Sequence, residues 1–317
     1  MKTLVVLTGP TGVGKTELSL SVAEWLGSPI VNADSRQIYR ELPIGTAAPT
    51  AAEQARVPHL FVGTHALTDA YNAGEYEREA LAALEELFRT HDKVLMVGGA
   101  MLYIDAVCKG LDEMPRVPER LRETLRRRYE AEGLEWLRKQ VKDADPQYFS
   151  EADTQNSQRL LHALEVTKAS GKPYSSFRLG RRKERPFRVV KIGLNRPREE
   201  LYARINARVD SMLAHGLLEE VRAVEPLRHR NVRSGEDERG TGLPNALNTV
   251  GYKEMFRYLD GEWSLEEAAD MVRQNSRHYA KRQLTWFNAD PEMHWVMLTD
   301  TEEDLKKVKQ IILDNDD

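Results

Sequence analysis

Eight residues near the start of the chain, Gly9-Pro10-Thr11-Gly12-Val13-Gly14-Lys15-Thr16, have the types and spacing of an anion cradle. Two glycines separated by four residues, then a lysine and a hydroxyl residue, make the P-loop pattern of nucleotide-binding (typically ATP-binding) proteins. Glycines let the backbone turn successive N–H groups onto one anion. Lys15 adds a mobile positive charge. Thr16 can hold a magnesium ion at the start of a helix whose positive end faces the phosphates. A second chemical group follows in Asn32-Ala33-Asp34-Ser35-Arg36-Gln37, where Asp34 sits at the end of an apolar run. A carboxylate there suits a general base or a substrate clamp, because open α/β sheets place ligands outside the carboxyl ends of their strands.

The elements that must position these groups are legible around them. Leu4–Thr8 predicts a strand, Thr16–Leu26 a helix with Leu18, Val22 and Leu26 on one face, and Pro29–Ala33 a second strand. Two absences narrow the chemistry. No Asn-Lys-x-Asp guanine reader occurs, and the next apolar strand, Lys93–Val97, ends on Gly98-Gly99 rather than on a magnesium-holding Asp. That argues against a motor or switch NTPase. A small-molecule P-loop kinase, or an RNA-binding module without catalysis, stays open at this level.

Composition fits a soluble, cytoplasmic enzyme. The 317 residues can bury a large core, and the single Cys108 excludes a disulfide framework or a cysteine zinc site. The histidines show no ligand spacing. No apolar run approaches a membrane span, and the N-terminus enters a strand without a signal peptide. The net charge of −4 hides an uneven distribution. Arg116 to Lys142 carries nine Lys/Arg against five Glu, and Arg178 to Lys191 carries seven against the single Glu184. Arg273, Arg277, Lys281 and Arg282 have no acid among them. Separate basic segments on an acidic chain suggest a polyanion partner engaged by one face.

Further along, Ser35–Pro58 reads as irregular at first, with a tight loop at Gly45-Thr46-Ala47. Pro58–Gly63 reads as a short strand or an active-site loop, Gly74–Arg89 as an amphipathic helix, and Met101–Val107 as a helix on the sheet. Two prolines at Met114–Pro118 mark a boundary. Residues 116–170 then read as a helical insertion, with helical stretches at 122–129, 134–141 and 157–168. After a basic linker, Phe187–Leu194 reads as an edge or inner strand and Glu199–His215 as a helix carrying Arg204 and Arg208 on a shared face. His229–Asn245 reads as a mobile surface loop, followed by helices from about 249 and from Ser264, a last strand at His294–Leu298 and a closing helix. The expectation is an α/β fold: a P-loop NTPase-like core with a parallel sheet, built from residues 1–115 and 171–317, and a helical insertion at 116–170.

Several stretches together resemble one family. They are the glycine-rich loop, Asn32–Arg40, Gly45-Thr46-Ala47, Val97–Tyr103, Gln158-Arg159-Leu160 with Ala163–Val166, Leu201–Met212, Gly251-Tyr252-Lys253-Glu254 and Ala280–Phe287. In this order they resemble the tRNA dimethylallyltransferases, or tRNA isopentenyltransferases, from about residue 3 to residue 296. The resemblance implies transfer of the dimethylallyl group from dimethylallyl diphosphate to N6 of the adenosine 3′-adjacent to the anticodon, by a monomer with Mg2+ as cofactor. It implies that residues Gly9 to Thr16 hold the leaving diphosphate, with Lys15, Thr16 and Arg208 around it and Thr16 on the metal. It makes Asp34 the general base or orienter of the amine. It implies that Asp34, Ser35, Arg36, Gln37, Ala100, Arg122, Gln158, Arg159, Leu160, Leu161, His162, Lys281 and Arg282 meet the anticodon stem-loop. This chain departs from the family pattern at Ala100, where a hydroxyl residue contacts the substrate base. It departs also at Leu60, which follows His59 where the family often has a second histidine, and at Asn288, where it often has a basic residue.

Overall fold

The apolar runs flanking the glycine-rich loop form the middle of a parallel sheet. The computed structural model describes residues 1–69, 71–180, 182–228, 246–299 and 301–315. The strands are β1 (Thr3–Thr8), β2 (Ile30–Ala33), β3 (His59–Leu60), β4 (Lys93–Gly98), β5 (Arg188–Asn195) and β6 (Met293–Met297). Their order is β3-β2-β4-β1-β5-β6, and every pairing is parallel. Parallel neighbours need crossovers, and helices supply them: α1 (Lys15–Leu26), α2 (Ala51–Arg56), α3 (Ala73–Leu87) and α4 (Met101–Lys109) in the first part. Then come α5 (Glu119–Ala144), α6 (Pro146–Glu151) and α7 (Ser157–Ser170), followed by α8 (Arg198–Ala214), α9 (Leu217–Arg228), α10 (Tyr252–Leu259), α11 (Leu265–Asn288) and α12 (Glu302–Asp314).

Both faces of the sheet are covered. Because side chains alternate along a strand, Val5 and Leu7 of β1 join the core built with α1, α8 and α12, while Leu4 and Val6 join that of α3 and α4. A third core gathers Ile38 and Leu42 with α9, α10 and the start of α11, beside the ends of the strands that carry the candidate chemistry.

Most elements match the sequence reading, and β5 proves to be an inner strand between β1 and β6. Three differences have physical reasons. The stretch read as irregular after Ser35 contains α2, which Thr50 and Glu53 start by capping one another's backbone amides. Helix α9 was not anticipated, since Gly216 and Pro226 look like breaks; Leu217, Val221 and Val224 nevertheless repeat at helical spacing and are buried. Helix α1 buries more than the face of Leu18, Val22 and Leu26: Ser19, Leu20 and Ala23 are buried with Val22, and Leu18 and Leu26 pack partly buried against the same core, because the helix is wedged between the sheet and α12. The reading of His229–Asn245 as a mobile loop falls outside the described residues.

Residues 116–170 are helical and carry their own apolar cluster, including Leu125, Leu137, Val141, Tyr148, Leu160, Leu161 and Leu164. Gly133 interrupts α5 at φ 77, which accounts for the two separate helical stretches read there. The buried Asp145 ties this unit to the following segment by accepting from Tyr148 N–H at 3.0 Å, Ser175 N–H at 2.6 Å and Ser175 Oγ at 2.8 Å.

The basic run before β5 is largely consumed within the fold. Lys191, only 1% exposed, donates to Asp290 at 2.8 Å and Glu292 at 3.0 Å, Arg185 pairs with Glu77 at 2.7 Å, and Arg182 pairs with Glu292 at 2.5 Å. This run therefore fastens β5 to β6 and α3 instead of presenting a free charged surface. Burial opposes ionisation of Asp290, but hydrogen bonds from Lys191, the Glu292 amide and Lys109 outweigh it and bring its carboxyl down to about 2, from 3.8. A depressed carboxyl stabilises the fold fully above about pH 4 and ceases to do so as pH falls through about 2. Lys191→Met should therefore lower stability at pH 7 by about 1–3 kcal/mol, the cost of leaving partly buried acceptors without their donor. It should also flatten the loss of stability between pH 4 and pH 2 seen in the parent, as read by urea unfolding at a series of pH values.

Candidate active site

The site begins where β1 ends. Gly14, at φ 104, caps α1 in a conformation that disfavours a side chain, and the first amides of α1 are left pointing outward as donors. Lys15 folds back over the loop, donating to Gly9 O at 2.8 Å and Pro10 O at 3.0 Å. Arg204 and Arg208, one turn apart on α8, both reach this region. Arg204 Nε donates to Gly12 O at 3.1 Å and Arg208 Nη2 to Thr46 O at 3.1 Å. Burial of the Lys15 ammonium, reinforced by the neighbouring Arg208 and opposed by Asp34, pushes its pKa down to about 7 from 10.5. Burial likewise lowers Arg208, with Asp34 acting against it. Two cations and one carboxylate thus share one half-buried corner.

Asp34 stands at the end of β2, as its position in the sequence suggested. Its Oδ1 accepts from Arg36 N–H at 2.8 Å and from Gln37 N–H at 3.3 Å, and Oδ2 has no hydrogen bond among the described residues. One oxygen therefore fixes the carboxylate while the other remains available as an acceptor. Gln37 spends its amide nitrogen on Thr46 O at 3.1 Å and Ala47 O at 3.0 Å. Ser35 and Arg36 are half-buried beside it. Tyr279 of α11 is pushed up to about 12 by burial and then by the Asp34 charge. Ala100 is the N-cap of α4, supplies no side-chain cap, and donates its amide to Ala33 O at 3.1 Å. The strand end that carries Asp34 is thereby tied to the loop after β4.

The remaining residues expected to meet RNA divide into two sets. Lys281 and Arg282 are exposed on α11, with Arg282 lying 5.7 Å over Tyr279. Arg273 and Arg277 are not similarly available. Arg273 pairs with Asp210 and Asp270, each at 2.5 Å, and Arg277 donates to Asn206 at 2.7 Å and lies over Tyr202. The basic face of α11 is therefore shorter than its sequence implies. On α7, Gln158, Arg159 and His162 are exposed, whereas the side chains of Leu160 and Leu161 belong to the insertion's apolar cluster. Arg122 lies half-buried on α5. Its neighbours Arg126, Arg127 and Arg128 pair along the helix with Glu130 at 3.4 Å, Glu123 at 3.8 Å and Glu132 at 2.9 Å.

Sequence reasoning left Gln283 without a role. It is 2% exposed, accepts from Thr11 N–H at 2.8 Å and donates to Gly99 O at 2.9 Å, joining the glycine-rich loop to the loop after β4. The available signal was its phase: with Ala280 and Phe287 it falls on the buried stripe of α11, where a polar residue needs a partner.

A magnesium ion fits the donors present. The Thr16 side chain is exposed and its hydroxyl makes no hydrogen bond among the described residues; Asp34 supplies the nearest carboxylate charge to Lys15. No group of three or more His, Cys, Asp or Glu able to hold a metal occurs among the described residues. That donor set suits an ion held mainly by substrate phosphates and water, the mode magnesium prefers.

A family model described as IPP transferase matches residues 37–290. The chain belongs to this family. The tRNA dimethylallyltransferase 1 of Phocaeicola vulgatus is 55% identical over 293 residues, covering 92% of this chain and 93% of that protein. The tRNA dimethylallyltransferase 2 of Parabacteroides distasonis is 50% identical over 313 residues, covering 99% of this chain and all of that one. Among solved structures, the full-length tRNA isopentenylpyrophosphate transferase from Bacillus halodurans superposes with a TM-score of 0.68 at 34% identity, over 98% of this chain and 94% of that one. Family membership leaves the small-molecule kinase reading without support. No described helix is long and apolar enough to cross a membrane.

The depressed Lys15 gives this IPP transferase a measurable signature. Above about pH 7 its free ammonium loses the proton, and a bound dianion restores it. Binding of inorganic diphosphate at pH 8 should therefore take up close to one proton beyond the ligand's own titration, and Lys15→Met should abolish that uptake. Calorimetry in buffers of different ionisation enthalpy measures it directly.

Proposed function

We propose that this prenyltransferase moves the dimethylallyl group from dimethylallyl diphosphate to N6 of the adenosine 3′-adjacent to the anticodon of tRNA, releasing diphosphate. The observation that carries the reading is the Lys15–Arg208 pair facing Asp34, in a chain that belongs to the IPP transferase family. As the allylic C–O bond breaks, its electron pair passes to the diphosphate oxygen. The amides at the start of α1, Lys15 and Arg208 are placed to receive that growing charge. Magnesium, when bound, adds positive charge on the phosphate oxygens.

On the acceptor side the N6 lone pair is delocalised into the adenine ring and is a weak nucleophile. Asp34 Oδ2 orients the amine and takes its proton as the C–N bond forms, so a neutral secondary amine and diphosphate result. A base stacked within the anticodon loop cannot reach this corner, so it enters flipped out. Gln37 and the exposed residues of α7 hold the bases splayed around it. The helical insertion and the Lys281–Arg282 end of α11 flank the stem-loop, and the protein acts as a monomer.

Mass spectrometry of nucleosides from tRNA incubated with the protein, dimethylallyl diphosphate and magnesium tests the reading: N6-isopentenyladenosine is the expected product. Asp34→Ala should slow single-turnover transfer by about 10²–10⁴-fold, the range for a positioned acid or base. A near-normal rate would remove Asp34 from the chemistry.

The surface Arg–Glu pairs of α5 are weak enough to open for phosphates. Neutralising Arg122 with Arg126 should flatten the salt dependence of tRNA binding by about one or two units in the log–log slope and weaken all tRNAs alike. An unchanged slope would place the RNA on another face.

A further inference from the structure

Helix α9 and the Gly251-Tyr252 motif take no part in the chemistry above, yet both close on the loop that holds Arg208. Glu220 of α9 is 9% exposed. Its Oε2 accepts from Ile44 N–H at 2.7 Å and its Oε1 from Gly45 N–H at 2.8 Å. The Tyr252 hydroxyl donates to the same Oε1 at 2.6 Å, so one carboxylate gathers three donors. The fit is close: a Cβ on Gly45 would sit 2.5 Å from Tyr252 Oη. Two residues on, Ala47 is held at φ 46, a conformation that a non-glycine residue keeps only when its surroundings impose it.

What this loop presents is functional. Thr46 O accepts from Arg208 Nη2 at 3.1 Å and from Gln37 Nε2 at 3.1 Å, and Ala47 O accepts from Gln37 at 3.0 Å. A single carbonyl therefore sets where the diphosphate-side arginine and the acceptor-side glutamine stand relative to one another. Arg208 is also repelled by Lys15, and Asp34 draws it in. The carbonyl at Thr46 must be held still for Arg208 to remain there.

We propose that Glu220 and Tyr252 are positioning residues, which lock the Ile44–Ala47 loop in the register from which Thr46 O orients Arg208 and Gln37 for transfer. Neither touches substrate, and the inference rests on the prenyl-transfer reading of the site. The buried phenol, kept protonated by burial and by the Glu220 carboxylate, remains a donor throughout the working pH range.

Glu220→Gln tests it, because the amide keeps the size of the side chain but turns one acceptor toward a donor. The kcat for transfer to an anticodon stem-loop should fall about 10²-fold, the scale for a displaced catalytic group. In an Arg208→Ala background the same change should cost far less. Arg208 is one of the cations proposed to hold the diphosphate, so its displacement should also weaken binding of inorganic diphosphate about 10-fold, the scale of one lost charged hydrogen bond. Unchanged diphosphate affinity, or additive losses in the double variant, would reduce the pair to a structural contact and overturn the proposal. Should Glu220→Gln fail to fold, Tyr252→Phe removes one donor and leaves both backbone bonds. It should lose about 10-fold in kcat through the same misplacement, and a parental rate would overturn the proposal. Diphosphate binding needs no turnover, so it judges the clamp even if the parent protein forms no prenylated product.

Discussion

Lys15 and Arg208 repel one another, and the placing of this site follows from holding them together. Burial lowers the proton affinity of both, and each makes the other's position more costly. The opposing forces come from outside the pair. Gly9 O and Pro10 O hold Lys15, Thr46 O holds Arg208, and Asp34 supplies the compensating charge. Such an arrangement favours a ligand that brings more negative charge than Asp34 can offer, which is the character of a departing diphosphate. Under the proposed chemistry, the energetic cost of the free corner becomes selectivity for the charge that develops as the allylic bond breaks.

The sheet makes that corner possible. In the order β3-β2-β4-β1-β5-β6, β1 runs between β4 and β5, so the loop after β1 opens at the point where the chain's crossovers diverge. Asp34, at the end of β2, and Ala100, after β4, are delivered to the same edge by backbone alone, and the Ala100 amide bonds to Ala33 O to keep them in step. Gln283 adds the cross-tie from α11, bonding to Thr11 and Gly99 at once. The loops after β1, β2 and β4 are thus parts of one hydrogen-bonded frame.

Groups whose chemistry is local were plain in the sequence. The glycine spacing, Lys15 and Thr16, and the carboxylate ending a β-branched run all depend on residues within a few positions of one another. Strand and helix order followed from periodicity for the same reason. What escaped was long-range pairing. Nothing near Gln283 or Glu220 in the chain reveals that each bonds to backbone far away in sequence, although both stand at the buried phase of their helices. Helix α9 was hidden by Gly216 and Pro226, and α2 by its shortness, because tertiary packing and a capping pair decide such segments where propensity does not.

Counting charge along the chain misleads for a related reason. The run from Arg178 to Lys191 is strongly basic in sequence, but in space Lys191, Arg185 and Arg182 face Asp290, Glu77 and Glu292, acids brought from other elements. Asp210 does the same to Arg273 across the α8–α11 contact. Ion pairs made between distant elements are part of the fold and resist exchange when buried, whereas the Arg–Glu pairs of α5 join neighbours on one exposed helix. An incoming phosphate competes easily with the second kind and poorly with the first. The surface able to follow a polyanion therefore includes the arginines of α5, Arg159 of α7 and the Lys281–Arg282 stretch of α11. That stretch lies on the same helix as Gln283, so the part of α11 that can face phosphates outside is joined through its buried side to the glycine-rich loop.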